Sequence, residues 1–175
     1  MERVLFDQVV HTDYGQFDLV WTGNGGFDGD FDRFFAGQVN GLVGASDSDG
    51  VYFNLARRSG GSPVRIVLMD APPRGDGAPW EDVVEVSFTL PEGHEMRWCT
   101  WAGETGGALS GIPSGSYRLR VGANGRDQGR YNELSEGLFD SYLFQLWPAP
   151  PRSDAVLRIG SQDARYWHRQ VGHRR

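Results

Sequence analysis

The chain has 175 residues, 39% of them hydrophobic and 13% aromatic, with a formal net charge of −6 and one cysteine, Cys99. That is enough apolar material to fill a core and exclude global disorder, and a lone cysteine excludes an internal disulfide and a cysteine-only zinc site. No run of 18 apolar residues is present, and Met1-Glu2-Arg3-Val4-Leu5-Phe6-Asp7 lacks the apolar core of a secretory leader, so a cytoplasmic chain with no membrane span is expected.

Taken in chain order, period-2 alternation dominates, the mark of half-buried strands. Two strands are predicted near residues 3–10 and 16–22, joined through His11-Thr12-Asp13-Tyr14-Gly15 as a hairpin turn. Phe27, Phe31, Phe34, Phe35 and Val39 then fall at helical spacing, so a short helix is predicted near 28–38. Asp28, Asp30 and Asp32 crowd its start, where negative charge is favoured, and Gly37 and Gly41 end it. Further strands follow around Val51-Phe53-Leu55, Val64-Ile66-Leu68, Val84-Val86-Phe88-Leu90, Met96-Trp98, Tyr117-Leu119-Val121 and Tyr142-Phe144-Leu146. In the Tyr117 strand, Arg118 and Arg120 are expected to point outward. Polar connections span 70–82 and 122–139, and a second short helix is predicted from about Ser161 to Gln170.

The 25 glycines and 9 prolines punctuate the chain into about nine short strands without an internal domain break. The fold class is therefore mainly β: a two-layer antiparallel β-sandwich, jelly-roll or Ig-like, with one short early helix and a short C-terminal helix. It is read as a single domain over 1–171 followed by a frayed basic tail, 172–175. The predicted core includes Phe31, Phe34, Phe53, Ile66, Leu68, Val86, Phe88, Trp98, Tyr117, Leu119 and Phe144.

Charge is distributed unevenly. Residues 1–110 carry 17 acidic residues against 7 arginines, whereas residues 111–175 carry 6 against 10. All 17 of the Lys and Arg residues are arginine, which is read as a genome-composition bias rather than a functional signal.

No constellation meets the requirements of a catalytic site. Gly23-Asn24-Gly25-Gly26 lies between a strand and a helix but lacks a following Lys-Ser/Thr, and the three aspartates at the helix start would repel a phosphate. Ser46-Asp47-Ser48-Asp49-Gly50 resembles the start of a calcium loop, yet the chain runs directly into a strand, so a polar turn is favoured over calcium binding. His11, His94, His168 and His173 are scattered, so no metal ligand set and no cofactor is assigned. Cys99, between Trp98 and Trp101, reads as a small packed residue. The arginines of the tail interleave with Tyr166, Trp167 and His168, but the acidic field of the whole chain (pI about 5.1) makes nucleic acid an unfavourable partner.

The order of several segments resembles the ComJ family, the competence-nuclease inhibitors. These are the Phe-rich Asp28-Gly29-Asp30-Phe31-Asp32-Arg33-Phe34-Phe35, the strand Gly50-Val51-Tyr52-Phe53, then Phe88-Thr89-Leu90-Pro91-Glu92-Gly93 and Pro113-Ser114-Gly115-Ser116-Tyr117-Arg118-Leu119. The resemblance covers roughly residues 5–125 and implies a small acidic β-rich inhibitor. No residue roles are transferred.

The favoured function is accordingly an acidic protein-binding module, an inhibitor or immunity-type protein for a basic nuclease or toxin. Its expected partner surface comprises Asp28, Asp30, Asp32, Asp47 and Asp49, five carboxylates within 22 residues. The alternatives are a carbohydrate-binding or hydrolytic sandwich with a Trp-lined cleft, and a structural assembly subunit.

Overall fold

The computed structural model describes residues 1–77 and 79–175; Ala78, in the predicted 70–82 connection, lies outside the described residues. The chain runs through β1 (Glu2–Asp13), β2 (Gln16–Val20), α1 (Phe31–Phe34), β3 (Val43–Gly44), β4 (Gly50–Asn54), β5 (Ser59–Met69) and β6 (Asp82–Leu90). It continues through β7 (Arg97–Thr100), β8 (Gly106–Ala108), β9 (Gly115–Asn124), α2 (Arg126–Tyr131), β10 (Ser141–Pro148), β11 (Ala155–Arg158) and α3 (Gln162–Gln170).

Alternation along the strands dictates two sheets, because each strand must bury one row of side chains. One sheet has the order β1-β5-β10-β9-β6-β11, the other β3-β4-β2-β7-β8. Their inner rows meet in one core. Phe53 of β4 stacks on Phe144 of β10 at a centroid separation of 4.1 Å, and Phe17 of β2 meets the same Phe144 ring edge-on at 5.7 Å. At the other end Phe88 of β6 stacks between Trp21 and Tyr117. Ile66, Val86 and Leu119 are fully enclosed between these rings.

Four expectations are corrected. β1 and β2 form no hairpin: β1 pairs with β5, and β2 pairs with β4 and β7 in the other sheet. The Tyr14-Gly15 turn, both residues at positive φ, carries the chain from one layer to the other. The larger sheet is not wholly antiparallel, since β5 and β10 pair in parallel from Tyr142↔Val64 to Leu146↔Leu68. Early helicity is one turn rather than residues 28–38. Asp30 caps it by accepting the Arg33 amide at 3.0 Å, and Phe35 already leaves helical geometry ahead of Gly37, whose φ of +71° suits glycine.

The fourth correction concerns the end of the chain. Residues 172–175 are docked, with the His173 and Arg174 amides donating to the carbonyls of Val39 (3.2 Å) and Gln38 (2.8 Å). Their side chains reach acids, Arg174 pairing with Asp32 and Arg175 with Asp154. These partners are more than 20 residues away in sequence, so composition gave no sign of them.

Arg118 and Arg120 do project from the outer row of β9, but they are buried there. Glu85 on β6 sits between them, taking Nε of Arg118 at 3.1 Å and Nε of Arg120 at 2.8 Å. The irregular segments fold over the pair, with Arg118 donating to the Ser153 carbonyl and Arg120 to that of Gly75. The outer face of β6 and β9 around this pair is thus covered by the molecule's own connections.

The predicted C-terminal helix is α3, capped by Ser161. It is seated by close backbone approach: a Cβ at Gly41 would collide with the Trp167 carbonyl. α2 lies within the polar connection 122–139, where no apolar stripe announced a helix. Among the described residues no helix is long and apolar enough to cross a membrane.

Candidate functional site

Alternation on β2 and β4 sends Phe17, Leu19, Val51 and Phe53 into the core and turns Gln16, Asp18, Tyr52 and Asn54 to the opposite face. That face is covered by residues 22–40 and by α3, so even its polar members are buried. Phe27 stacks on Tyr52 at 3.8 Å, Phe31, Phe34 and Phe35 present their edges to the same ring, and Trp167 of α3 approaches Phe31. The phenylalanine spacing seen in the sequence was therefore real, but its purpose is to build this satellite cluster over Tyr52.

The cover is incomplete. Between it and the Tyr14–Trp101 pair lies a cleft of about 420 Å³. Tyr14 and Trp101 are 5.1 Å apart at its rim, 58% and 36% exposed, and Gln16, Phe27, Tyr52 and Asn54 lie deeper. Asp28 and Arg58 bring charge to the edge, Arg58 standing 3.8 Å from Glu133. Asn54 is buried in this wall, and its Nδ2 has no hydrogen-bond partner among the described residues.

Beneath the cleft floor Asp18 is 1% exposed. It accepts from Gln16 Nε2 (2.7 Å) and the Phe27 amide (3.2 Å), yet burial outweighs these bonds and pushes its carboxyl up to about 6. Cys99, on the neighbouring β7, is half-buried, and burial followed by the nearby Asp18 pushes its thiol up to about 11. At neutral pH it is a thiol, not the thiolate that nucleophilic chemistry needs.

Three of the five aspartates singled out in the sequence, Asp28, Asp30 and Asp47, gather around one guanidinium, and Asp28 also lines the cleft. Arg33 pairs with Asp28 (2.8 Å) and Asp47 (2.8 Å) and stands 4.0 Å from Asp30. Asp30 Oδ1 accepts the Arg33 amide (3.0 Å) and Asp28 Oδ1 accepts the Asp30 amide (3.1 Å), which fixes the backbone of residues 28–33. That amide bond, with Arg33 adding a smaller effect, holds the Asp28 carboxyl below the usual range. Asp32, 86% exposed at its side chain, pairs with Arg174.

Asp47 differs: its side chain is 7% exposed and also accepts the Asp49 amide at 2.8 Å. With Trp21 Nε1 on the Ser48 carbonyl (2.8 Å), it closes the polar turn entering β4. Asp28, Asp30 and Asp32 thus present charge to solvent, whereas Asp47 is committed to the turn. Arg174 arrives at Asp32 from 142 residues away, so no local pattern announced it.

Other polar residues do structural work that no local pattern could have announced. Arg57, 2% exposed, donates to the carbonyls of Gly61, Glu133, Ser135 and Gly137, pinning the segment after α2. Arg126 on α2 pairs with Asp163 on α3 at 2.7 Å, both buried. Asp82 accepts from Ser161 Oγ (2.6 Å) and from the amides of Gly160 and Ser161.

No protein-family model matches the chain, and no match was found among curated proteins. Two solved structures are similar to it. Crocagin biosynthetic gene J matches with a TM-score of 0.52 and 16% identity, covering 86% of this chain and 99% of the other. ComJ of Bacillus subtilis, an inhibitor of the DNA-degrading activity of NucA, matches with a TM-score of 0.54 and 17% identity over 85% of this chain and 99% of its own. At such identities the likeness shows a common fold, the one that the segment order in the sequence implied.

Proposed function

We propose that the protein is an inhibitor-type binding module that engages a basic protein partner, a nuclease or toxin, through the acidic lip and aromatic rim of the cleft. The observation that carries this reading is that Asp28, held by Arg33 in a cluster with Asp30, lines the same cleft as exposed Tyr14 and Trp101. Aromatic anchors bordered by charge are the composition of energetic centres in protein interfaces. The acidic lip steers a basic partner and speeds encounter, while the two rings supply area that stays buried after docking. The fold shared with ComJ, itself an inhibitor of a DNA-degrading activity, supports the inhibitory role. Arg33 acts within this reading as a brace: it holds Asp28 and Asp47 together so that the lip is rigid before binding.

The test is a capture from native lysate at low salt on the immobilised protein, followed by a nuclease assay of the eluted basic fraction. Added wild-type protein is expected to suppress the recovered activity in proportion to its concentration, and Trp101→Ala with Tyr14→Ala is expected to weaken suppression by about tenfold or more, as for interface anchors. Undiminished suppression by that double variant would remove the cleft rim from the interface. A captured protein without nuclease activity would leave the module reading without its inhibitory part.

The second reading, a saccharide site, is favoured by one observation: the rim rings and the unpartnered Asn54 Nδ2 share a cleft. Oligosaccharide titration that quenches Trp101 fluorescence in a saturable way would favour it over the protein partner.

A further inference from the structure

The opposite side of α3 carries a second cleft, of about 610 Å³, bounded by Val39, the β11 segment, α3 and the docked C-terminal residues. Arg165, His168 and Arg169 fall on one helix face at spacings of three and four, whereas Trp167 turns the other way into the aromatic cluster. Val156 and Ile159 form an apolar wall, Ile159 being 40% exposed.

The ionisable groups facing this cleft are Arg165, Arg169, Arg175, His168, His173 and a single acid, Asp154. Asp154 is already saturated: it accepts from the amides of Val39 (2.9 Å) and Asn40 (2.8 Å), from Asn40 Nδ2 (2.8 Å) and from Arg175 (2.6 Å). Arg165 and Arg169 have no side-chain acceptor among the described residues. His168 is 4% exposed; its Nδ1 accepts the Gly41 amide at 3.0 Å, which places the ring proton on Nε2, and Nε2 has no partner among the described residues. A buried donor without an acceptor is costly, and here it stands beside two free guanidiniums.

We propose that this cleft binds an anionic group, a carboxylate or a phosphate monoester, carried on an apolar body. The anion would meet Arg165 and Arg169, an oxygen would accept the His168 Nε2–H, and the hydrocarbon would lie on Val156 and Ile159. Guanidinium forks suit both anions, and the volume is that of a small-molecule site. The site is separate from the acidic lip and does not depend on its role.

The experiment is calorimetric titration of the full chain with octanoate, octyl phosphate, 1-octanol and inorganic phosphate. One-to-one saturation is expected with at least one of the two anionic amphiphiles, the tighter of them identifying the headgroup. Binding of 1-octanol and of inorganic phosphate is expected to be about tenfold weaker, since each lacks one half of the recognition. Arg165→Ala with Arg169→Ala, both exposed positions, should weaken the amphiphile by about tenfold or more while leaving the melting temperature within a few degrees. His168→Phe should weaken it independently, and in the wild type the His168 imidazole resonance should shift as the amphiphile saturates. Absence of saturation by both anionic amphiphiles, equal binding of 1-octanol, or unchanged affinity in the arginine variant would each overturn the assignment.

Discussion

Asp18 and His168 titrate abnormally for the same reason, burial, and their effects on stability have opposite signs. The Asp18 carboxyl is raised from 3.8 to about 6. Between those values the folded protein holds a proton that the unfolded chain releases, so stability falls as pH rises, and above about 6 the charged group is a standing cost. The His168 imidazole is lowered from 6.5 to about 4 by burial and then by Arg126. Between pH 6.5 and 4 the unfolded chain binds a proton that the folded one refuses, so stability falls as pH drops. The two slopes oppose each other, and wild-type stability is expected to be shallow across this window as far as these groups contribute. Asp18→Asn keeps an acceptor for the Phe27 amide and removes the buried charge. Urea titrations should therefore find it as stable as wild type or up to about 3 kcal/mol more stable at pH 7, with a steeper loss on going from pH 6 to 4. A loss above about 1 kcal/mol at pH 7 would show that the carboxylate is needed for the fold. Neither group was legible beforehand. Asp18 sits in the polar row of an alternating strand, a position normally solvated, and only the later arrival of residues 22–40 buries it.

Local pattern was a good guide to strands and a poor one to whatever covers them. Val84-Val86-Phe88-Leu90 and Tyr117-Leu119-Val121 lie side by side in β6 and β9 with the faces that alternation assigned. Phe88 stacks on Trp21 and Tyr117, joining both layers, so Phe88→Ala should cost about 3–5 kcal/mol in equilibrium unfolding. A cost near zero would mean that the two layers hold together elsewhere. α1 shows the limit of periodicity: Phe27, Phe31, Phe34 and Phe35 converge on one ring, but a single helical turn is enough to bring them there. α2 escaped notice because its apolar content is low and its anchor is the buried Arg126–Asp163 pair, a partnership across 37 positions. α3 carried the usual signals, with Ser161 accepting the Ala164 amide at 3.0 Å. Ser161→Ala removes that cap and the hydroxyl given to Asp82, and should lower stability by about 1–2 kcal/mol; chemical denaturation reads it directly. An unchanged midpoint would mean that α3 is held by Trp167 and Val171 packing alone.

Across the whole molecule arginines of the C-terminal part reach acids of the N-terminal part, Arg118 and Arg120 meeting Glu85 and Arg174 meeting Asp32. Asp28, Asp30 and Asp47 gather around Arg33, and among the C-terminal arginines Arg174 and Arg175 brace acids while Arg165 and Arg169 on α3 remain unpaired among the described residues. That Asp28, Asp30 and Asp32 stay solvated was legible because they crowd a helix start, whereas the burial of Asp47 in its turn was not. The aromatic border of the cleft was not legible either, because Tyr14 and Trp101 meet across 87 positions through the pairing of β2 with β7. The central claim is that the acidic lip steers a basic partner, and charge alone should decide the approach. Asp28→Asn, Asp30→Asn and Asp32→Asn together remove three exposed charges while keeping side-chain shape and the Asp30 cap. Stability should change by no more than about 1 kcal/mol, since asparagine caps as well as aspartate and exposed ion pairs contribute little. The most direct measurement is the association rate constant with the captured partner, by stopped flow, for wild type and the triple variant from about 20 mM to about 300 mM salt, a range over which screening removes steering. The account predicts a wild-type rate that falls about tenfold or more across that range, and a variant that starts slower and converges with wild type at high salt. Identical rates and identical salt dependence for the two proteins would contradict it.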